Sequence, residues 1–494
     1  MNKKIIKNFL SVFLILIISF ISYGCFEEKH RPAGKDITLN IYVVNDFHGA
    51  LLETANDVGI SKIGEYLLDR KISEPDNTLV ISSGDMFQGT AVSSMSRGRA
   101  VVDAMNYIGF DAMTIGNHEF DWGIDTVLAY RDGKIENGEL DCPFLAANIV
   151  DKKTGELASW AKPYTVVEKA GIKVGIIGVI GEGQESSILK THVEEYQFTR
   201  EIDAISKYAE ILRKKENCDL VIVSAHNDTA KYNRNLAKLM GDNRVDIVLN
   251  GHTHYEYVQY VSYNRDGYAH LPVVQSGAYG SHIGHISITI NSSSKKTSNC
   301  IAENIDCDIV CKKKNDFIES LLNDNYYDFI DKSKSVLGGN AITLYKDQGG
   351  VWASNVLKNA TGSDIGVCNT GGIRSLGFPL YANSNITYGD IFEIMPFENV
   401  ICTVYLKGSE VLRLLNYSVY ISSNVNINNS TINGEAIDNN KLYKVATVDY
   451  IFVQDYYPFL NGENGMFTEI LFRDALVQDV IENVKSNGKF YPEF

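Results

Sequence analysis

The sequence predicts an α/β protein: a sandwich of sheets covered by helices, followed by a second, smaller α/β domain. Three observations predict it. From Ile37 to about Ile290, short β-rich apolar runs alternate with helix-like stretches. A Ser/Lys/Asn-rich break follows over 291–299, and new strand-like runs begin after about Ser335. Buried apolar runs of strand length, bounded by Gly, Asn and Asp, are the pattern of sheets covered on their faces. A length of 494 residues also suits about two to three domains.

In chain order, the first element is not part of the fold. Met1–Cys25 has a Lys-bearing start, an apolar run from Phe9 to Ile21 and small residues before a cysteine, which together read as a secretory signal peptide. Ser22-Tyr23-Gly24-Cys25 resembles a bacterial lipobox, so lipid on Cys25 is expected to anchor an exported protein in the cell envelope, on its periplasmic or extracellular face. The apolar run is short for a bilayer span. The runs ITLNIYVV, NTLVISS, DAMTI, IKVGIIGVI, CDLVIVSA, VDIVLN, LPVVQS and HISITI then mark a catalytic domain at 36–290. A polar stretch at 291–334 is expected to link it to a substrate-binding domain at 335–494, which contains NVICTVYLKG and YKVATVDYIFV and closes with a helix-like segment after Arg473. The Asn/Ser-rich stretch Ser422–Asn433 reads as a surface loop.

Composition excludes some functions. Apolar residues are 45% and charged residues 22%, ordinary for a globular protein. Lys plus Arg number 46 against 61 Asp plus Glu, a net charge of -15, which argues against a nucleic-acid polymer as partner. An anionic substrate would have to be drawn by local cations or bound metal. Seven cysteines remain beside Cys25, an odd number, so they cannot form a complete disulfide framework. In the cluster Cys300, Cys307 and Cys311, one disulfide is favoured over a zinc site, because no histidine or CxxC pair accompanies them.

Five segments carry the chemistry, and in each an apolar run feeds directly into metal-competent side chains. They are VVNDFHG with Asp46 and His48, ISSGDMFQG with Asp85, TIGNHEF with Asn117 and His118, VIVSAHND with His226, and VLNGHTH with His252 and His254. Ligand sites of open α/β sheets form beyond the carboxyl ends of strands, so these groups can converge. A lone histidine is more often a satisfied structural residue, but five of the ten in this chain fall at strand ends. Carboxylate, amide and imidazole without thiolate suit Mn, Fe, Co or Zn in an open site. The donors are too many for one ion, and a shared Asp can bridge two, so a dimetal centre is the natural reading. Such centres serve phosphoester hydrolysis by activating water and neutralising phosphoryl charge.

NDFHG, GDMFQGT, GNHEFDWG and NGHTH, with the block MNYIGFDAMTIGNHEFDWG and FLAANI, resemble the calcineurin-like metallophosphoesterases, specifically the 5'-nucleotidase family that includes the UDP-sugar hydrolases. The resemblance covers nearly the whole mature chain and implies a four-layer αββα sandwich for the first domain. It implies that Asp46, His48, Asp85 and His254 hold one metal, and that Asp85, Asn117, His226 and His252 hold the other. His118 and Asp121 would be the catalytic pair, His118 donating to the phosphoryl or leaving oxygen and Asp121 orienting it. Nucleotidases often have Gln or Asn where this chain has His254; either side chain ligates.

In the second domain, Asn369-Thr370-Gly371-Gly372-Ile373-Arg374 resembles the family's N-x-G-G-I-R segment, with glycines for close approach and an Arg for phosphate or ribose. PFEN, containing Phe397 and Asn399, resembles the block whose Phe stacks on the base. The last block departs from the family pattern. Phe459, with Tyr457 as rival, is the candidate for the opposite stacking face, and Asn464 in NGENG stands where an Asp would bind ribose. An upstream Arg of the family is absent, and the nearest cation, Lys346, cannot offer a bidentate fork. The leading expectation is an exported dimetal phosphohydrolase that removes the 5'-phosphate from nucleoside monophosphates by attack of a metal-bridging hydroxide. Candidate further substrates are 2',3'-cyclic nucleotides and UDP-sugars. The alternatives are a phosphoesterase acting on a non-nucleotide substrate and a surface binding protein with a vestigial site.

Overall fold

The computed structural model describes residues 34–494 apart from 228 and 263–269. The signal segment 1–25 and Cys25, with the expected lipid, lie outside the described residues. Among the described residues no helix is long and apolar enough to cross a membrane.

The first domain is built on two six-stranded sheets. One runs, in spatial order, Thr297–Asp306, His282–Asn291, Asp36–Val44, Thr78–Ser82, Ala112–Thr114 and Phe144–Leu145. The other runs Glu256–Ser262, His270–Ser276, Ile247–Asn250, Leu220–His226, Ile172–Ile180 and Tyr164–Lys169. Alternation along Asp36–Val44 sends Leu39, Ile41 and Val43 into a core shared with Ile176, Ile222 and Leu249 of the opposite sheet. Both faces of the central strands are therefore apolar, as the unbroken run IKVGIIGVI requires. Helices Ile60–Ser73, Arg99–Ile108 and Asp316–Lys334 cover the outer face of the first sheet. Helices Glu201–Lys214 and Ala230–Ala237 cover that of the second. The order of layers is helix, sheet, sheet, helix.

Strands Asp36–Val44, Thr78–Ser82 and Ala112–Thr114 are parallel, as are Ile172–Ile180, Leu220–His226 and Ile247–Asn250. Parallel strands end on one edge, which gathers their following loops.

Residues 291–334, expected as a connection, hold two elements of the first domain. Thr297–Asp306 pairs antiparallel with His282–Asn291. Helix Asp316–Lys334 buries Ile318, Leu322, Tyr326 and Ile330 in the first core. That stripe recurs every four residues among charged neighbours, so its mean polarity hid an amphipathic helix. Cys307 and Cys311, expected in a cluster holding one disulfide, are buried free thiols one helical turn apart.

The second domain carries a five-stranded sheet ordered Val419–Ile421, Ile365–Asn369, Leu442–Val448, Val400–Lys407 and Glu463–Leu471, with helices Lys346–Thr361 and Phe472–Asn487 packed on its core. Its loops face the gathered strand ends of the first domain across one cavity.

Candidate metal centre

Each motif residue lies within four positions of its strand's end. Asp46 and His48 follow Val44, Asp85 follows Ser82, Asn117 follows Thr114, and His252 and His254 follow Asn250, while His226 ends its own strand. The loops are strained in the same way. Asp46, His48, Asp85, His252 and His254 all have positive φ, between 49° and 87°. For side chains other than glycine this costs on the order of 1 kcal/mol or more each, and it persists only where neighbours fix it.

The carboxylates themselves do much of the fixing. Both Asp46 oxygens accept from the His252 amide at 3.0 and 2.9 Å, and Asp85 Oδ1 accepts from the His118 amide at 2.9 Å. Glu119, fully buried, accepts from the amides of Asp85, Met86 and Gly116 at 2.9, 2.8 and 2.7 Å. The sequence reading did not single out this residue; its position beside His118 in GNHEF was the available signal. Glycine is required where these loops touch. A Cβ on Gly84, at φ +94°, would lie 2.7 Å from His226 Nδ1, and one on Gly116 would collide with Asp85 Oδ1.

Two groups of donors result: Asp46, His48 and His254, and Asp85, His226 and His252. Within each, the candidate ligand atoms lie within 4.8 Å of one another. Asp85 Oδ2 sits between them, 3.0 Å from His226 Nε2 and 4.0 Å from His48 Nε2. Asn117 Oδ1 lies 3.1 Å from His226 Nε2 and 3.0 Å from His252 Nδ1.

The donor chemistry fits divalent cations. His48 Nδ1 pairs with the Gln88 carbonyl at 2.8 Å and His226 Nδ1 with the Ser83 carbonyl at 2.9 Å. A carbonyl can only accept, so each Nδ1 carries hydrogen and each Nε2 faces inward. There His48 Nε2 meets His254 Nε2 at 3.0 Å, and His226 Nε2 meets the oxygens of Asp85 and Asn117. Acceptors that converge in this way call for a cation among them. Burial holds the His48 imidazole well below its ordinary pKa, and brings His252 down to about 3 and His254 to about 4. All three are therefore neutral, the form in which imidazole ligates. Burial alone would lower His226, but the Asp85 carboxylate outweighs it and lifts the ring to about 10; the same contact keeps Asp85 well below the carboxylate range against its own burial. Burial pushes Asp46 up to about 7, with Asp85 adding to the effect.

His118 lies at the edge of these groups. Its Nδ1 donates to Asp121 Oδ2 at 2.7 Å, leaving Nε2 for the cavity. Burial lowers its pKa, but Asp121 and Asp85 outweigh burial and leave it raised.

The cavity, about 640 Å³, joins both domains. Asp85, Asn117, His118, Asp121, His252 and His254 line one side; Asn369, Gly371, Gly372, Arg374, Phe397 and Asn399 line the other. The Phe397 ring stacks on His118 with centroids 5.8 Å apart. Lys346 also lines the cavity and donates to Ser375 Oγ at 3.2 Å; burial and the Arg374 charge lower its pKa. Two neighbouring cations in a concave site suit an anion. Trp122, His192, Tyr279 and Tyr450 are lining residues that the sequence reading missed.

Phe459 and Asn464 require a correction, because neither lines the cavity. Phe459 is 1% exposed within the second core, beside Phe452 and Tyr457, and Asn464 stands on the exposed edge strand Glu463–Leu471. Tyr457, the rival, is also buried, against Tyr417 and Tyr456. The shortened block closes as a tight 3-10 turn at Pro458–Asn461, which turns its aromatics into the core.

Comparison with known proteins decides the family. Residues 39–256 match the calcineurin-like phosphoesterase family, and residues 341–426 match the 5'-nucleotidase C-terminal domain. The first domain is a calcineurin-like phosphoesterase domain, and the second carries the C-terminal domain of the 5'-nucleotidases. Calcineurin-like phosphoesterases are metal-dependent phosphoric ester hydrolases that use a dinuclear metal centre, and the chain spans 34% and 65% of the length of two curated relatives that it matches. The phosphoesterase is 28% identical over 428 residues to endonuclease YhcR of Bacillus subtilis, a match covering 80% of this chain but 34% of that protein's length. It is 25% identical over 480 residues to a probable 5'-nucleotidase of Treponema pallidum, covering 79% of this chain and 77% of that one. Among solved structures, the 5'-nucleotidase precursor from Thermus thermophilus superposes with a TM-score of 0.74 at 19% identity, over 93% of this chain and 98% of that chain. The fold is therefore shared along both domains.

Proposed function

We propose that this phosphoesterase is an exported enzyme that removes the 5'-phosphate from nucleoside monophosphates. One observation carries the reading: members of both donor groups (His254 of one, Asp85 and His252 of the other), His118 and the cations and aromatic ring of the second domain all line a single cavity. Asp46, His48, Asp85 and His254 would hold one ion, and Asp85, Asn117, His226 and His252 the other, with Asp85 shared. When bound, the ions supply positive charge against the phosphoryl oxygens and make water a competent nucleophile near neutral pH. The protein supplies position and a proton. Arg374 and Lys346 draw the anionic substrate to the cavity and oppose its charge. Asn369 with the Gly371-Gly372 backbone approaches the sugar closely, and Phe397 offers a face to the base. His118, held by Asp121 and with a raised pKa, keeps a proton on Nε2 for the leaving oxygen. The signal-like segment at 1–25 and Cys25 support export and a lipid anchor.

A second reading, a phosphoester that is not a nucleotide, is favoured by the displaced Phe459 and Asn464, which leave the base with one stacking ring from the family pattern. Phosphate release from AMP, UDP-glucose, 2',3'-cyclic AMP and bis(p-nitrophenyl) phosphate, compared as kcat/KM with Mn present, separates the two. The nucleotide reading expects AMP to lead the panel. Turnover confined to the generic diester would replace it with the second reading.

A further inference from the structure

We propose that Arg97 is a positioning residue of the first domain that latches the second domain over the cavity. This rests on the reading that the cavity is the substrate site. Arg97 sits in the turn between helices Ala91–Met95 and Arg99–Ile108, at φ 55°, an unusual backbone for a long side chain. Its conformation is fixed from two sides. Tyr130 Oη donates to its carbonyl at 2.8 Å, and the following Gly98 is pressed against Phe87, where a Cβ would lie 2.8 Å from the Phe87 Cβ. Strained backbone held in this way commonly marks a functional position.

The side chain thus placed reaches across the domain boundary. Its guanidinium carbon stands 5.7 Å from the centroid of the cavity-lining Trp122 ring, and Nη1 donates to Glu398 Oε2 at 2.8 Å. Glu398 directly follows Phe397, the ring stacked on His118. What makes this contact more than a surface ion pair is the stiffness of the segment that it grips. The buried Arg473 donates through Nη1 to the carbonyls of Met395, Pro396 and Phe397 at 3.4, 3.1 and 3.1 Å. Asn399 is tied at its other end, its Nδ2 donating to Asp449 Oδ1 at 2.6 Å. A pull on Glu398 is therefore transmitted to Phe397 and not absorbed by a flexible loop. Other contacts also span the boundary, among them Tyr450 Oη to the Ser186 carbonyl at 2.8 Å and Lys190 to Asp455 at 3.2 Å, and neither of these two grips the Phe397 segment.

A latch of this kind sets the fraction of molecules in the binding-competent, closed arrangement, so its loss weakens apparent affinity without touching chemistry. The test uses the full chain as wild type, Arg97→Glu, Arg97→Gln and the charge exchange Arg97→Glu/Glu398→Arg. Small-angle X-ray scattering reports closure and AMP kinetics report its consequence. Arg97→Glu is expected to increase the radius of gyration and raise KM for AMP about three- to tenfold, with kcat within about twofold, and 0.5 M salt should shrink the difference. Arg97→Gln should do the same to a smaller degree, and the charge exchange should restore both readouts. Unchanged scattering in Arg97→Glu and Arg97→Gln, or a charge exchange that behaves no better than Arg97→Glu, overturns the latch. If the wild type releases no phosphate from AMP, the functional reading fails, while the scattering still decides whether Arg97 closes the domains.

Discussion

His118 has one ring nitrogen committed to Asp121 and the other to the cavity, and at the scale of single residues this division of nitrogens organises the whole site. The same logic fixes His48 and His226 through the carbonyls of Gln88 and Ser83. His118→Ala should lower kcat for phosphate release by about a hundred- to ten-thousandfold, the range for loss of a general acid, while two ions per chain remain by elemental analysis. Asp85→Asn should behave differently: it removes the carboxylate charge that lies between the two donor groups and that the proposed function assigns to both ions, so bound metal should fall below two per chain in the same analysis. Equal metal loss in both variants would contradict the division of roles. The motif residues were legible in the sequence because metal ligation demands particular side chains. Glu119 was not, because a carboxylate that holds backbone amides leaves no composition signal of its own.

The next scale is the strand with its following loop. Five loops meet because five strands end on the same edges of two facing sheets, and they meet so tightly that a methyl group is excluded at Gly116. Gly116→Ala should cost about 1–3 kcal/mol of stability, as overpacking does elsewhere, and should weaken metal retention, since the collision is with Asp85 itself. Chemical denaturation of the metal-loaded and chelated proteins measures both effects. The apolar strands were readable from sequence because buried parallel strands are continuous runs. The helix Asp316–Lys334 was not, since its four buried apolar side chains stand among many charged ones that lower its average apolarity. Phe459 failed for a different reason: motif position says which residue corresponds, whereas the one-residue shortening decides which way its ring turns.

At the scale of the whole molecule, the two domains bring acids together at their boundary. Glu393, on the second-domain helix Tyr388–Ile394, is pushed up to about 8 by burial, with Asp57 of the first domain and Asp390 adding to it, and Asp57 is itself raised to about 6 by burial. A carboxyl whose folded pKa exceeds its unfolded value binds more protons when folded, so its contribution to stability falls as pH rises between the two values. For Glu393 that window runs from about 4.5 to about 8. The melting temperature should therefore fall between pH 6 and pH 8 more in the wild type than in Glu393→Gln; equal falls would contradict the assignment. Domain order was legible in the sequence, but this boundary was not, since the charge repulsion between Glu393 and Asp57 and the contact between Arg97 and Glu398 join segments with no pattern in common.

The central claim is that two bound ions and His118 release phosphate from a nucleotide in the interdomain cavity. It is tested most directly by measuring phosphate released from AMP, alongside metal content, in one preparation taken through chelation and Mn restoration, with His118→Ala in parallel. The account predicts turnover that disappears on chelation, returns with about two ions per chain, and stays near background in the variant although its ions are bound. Two bound ions with no phosphate from AMP, or turnover indifferent to chelator, would contradict it.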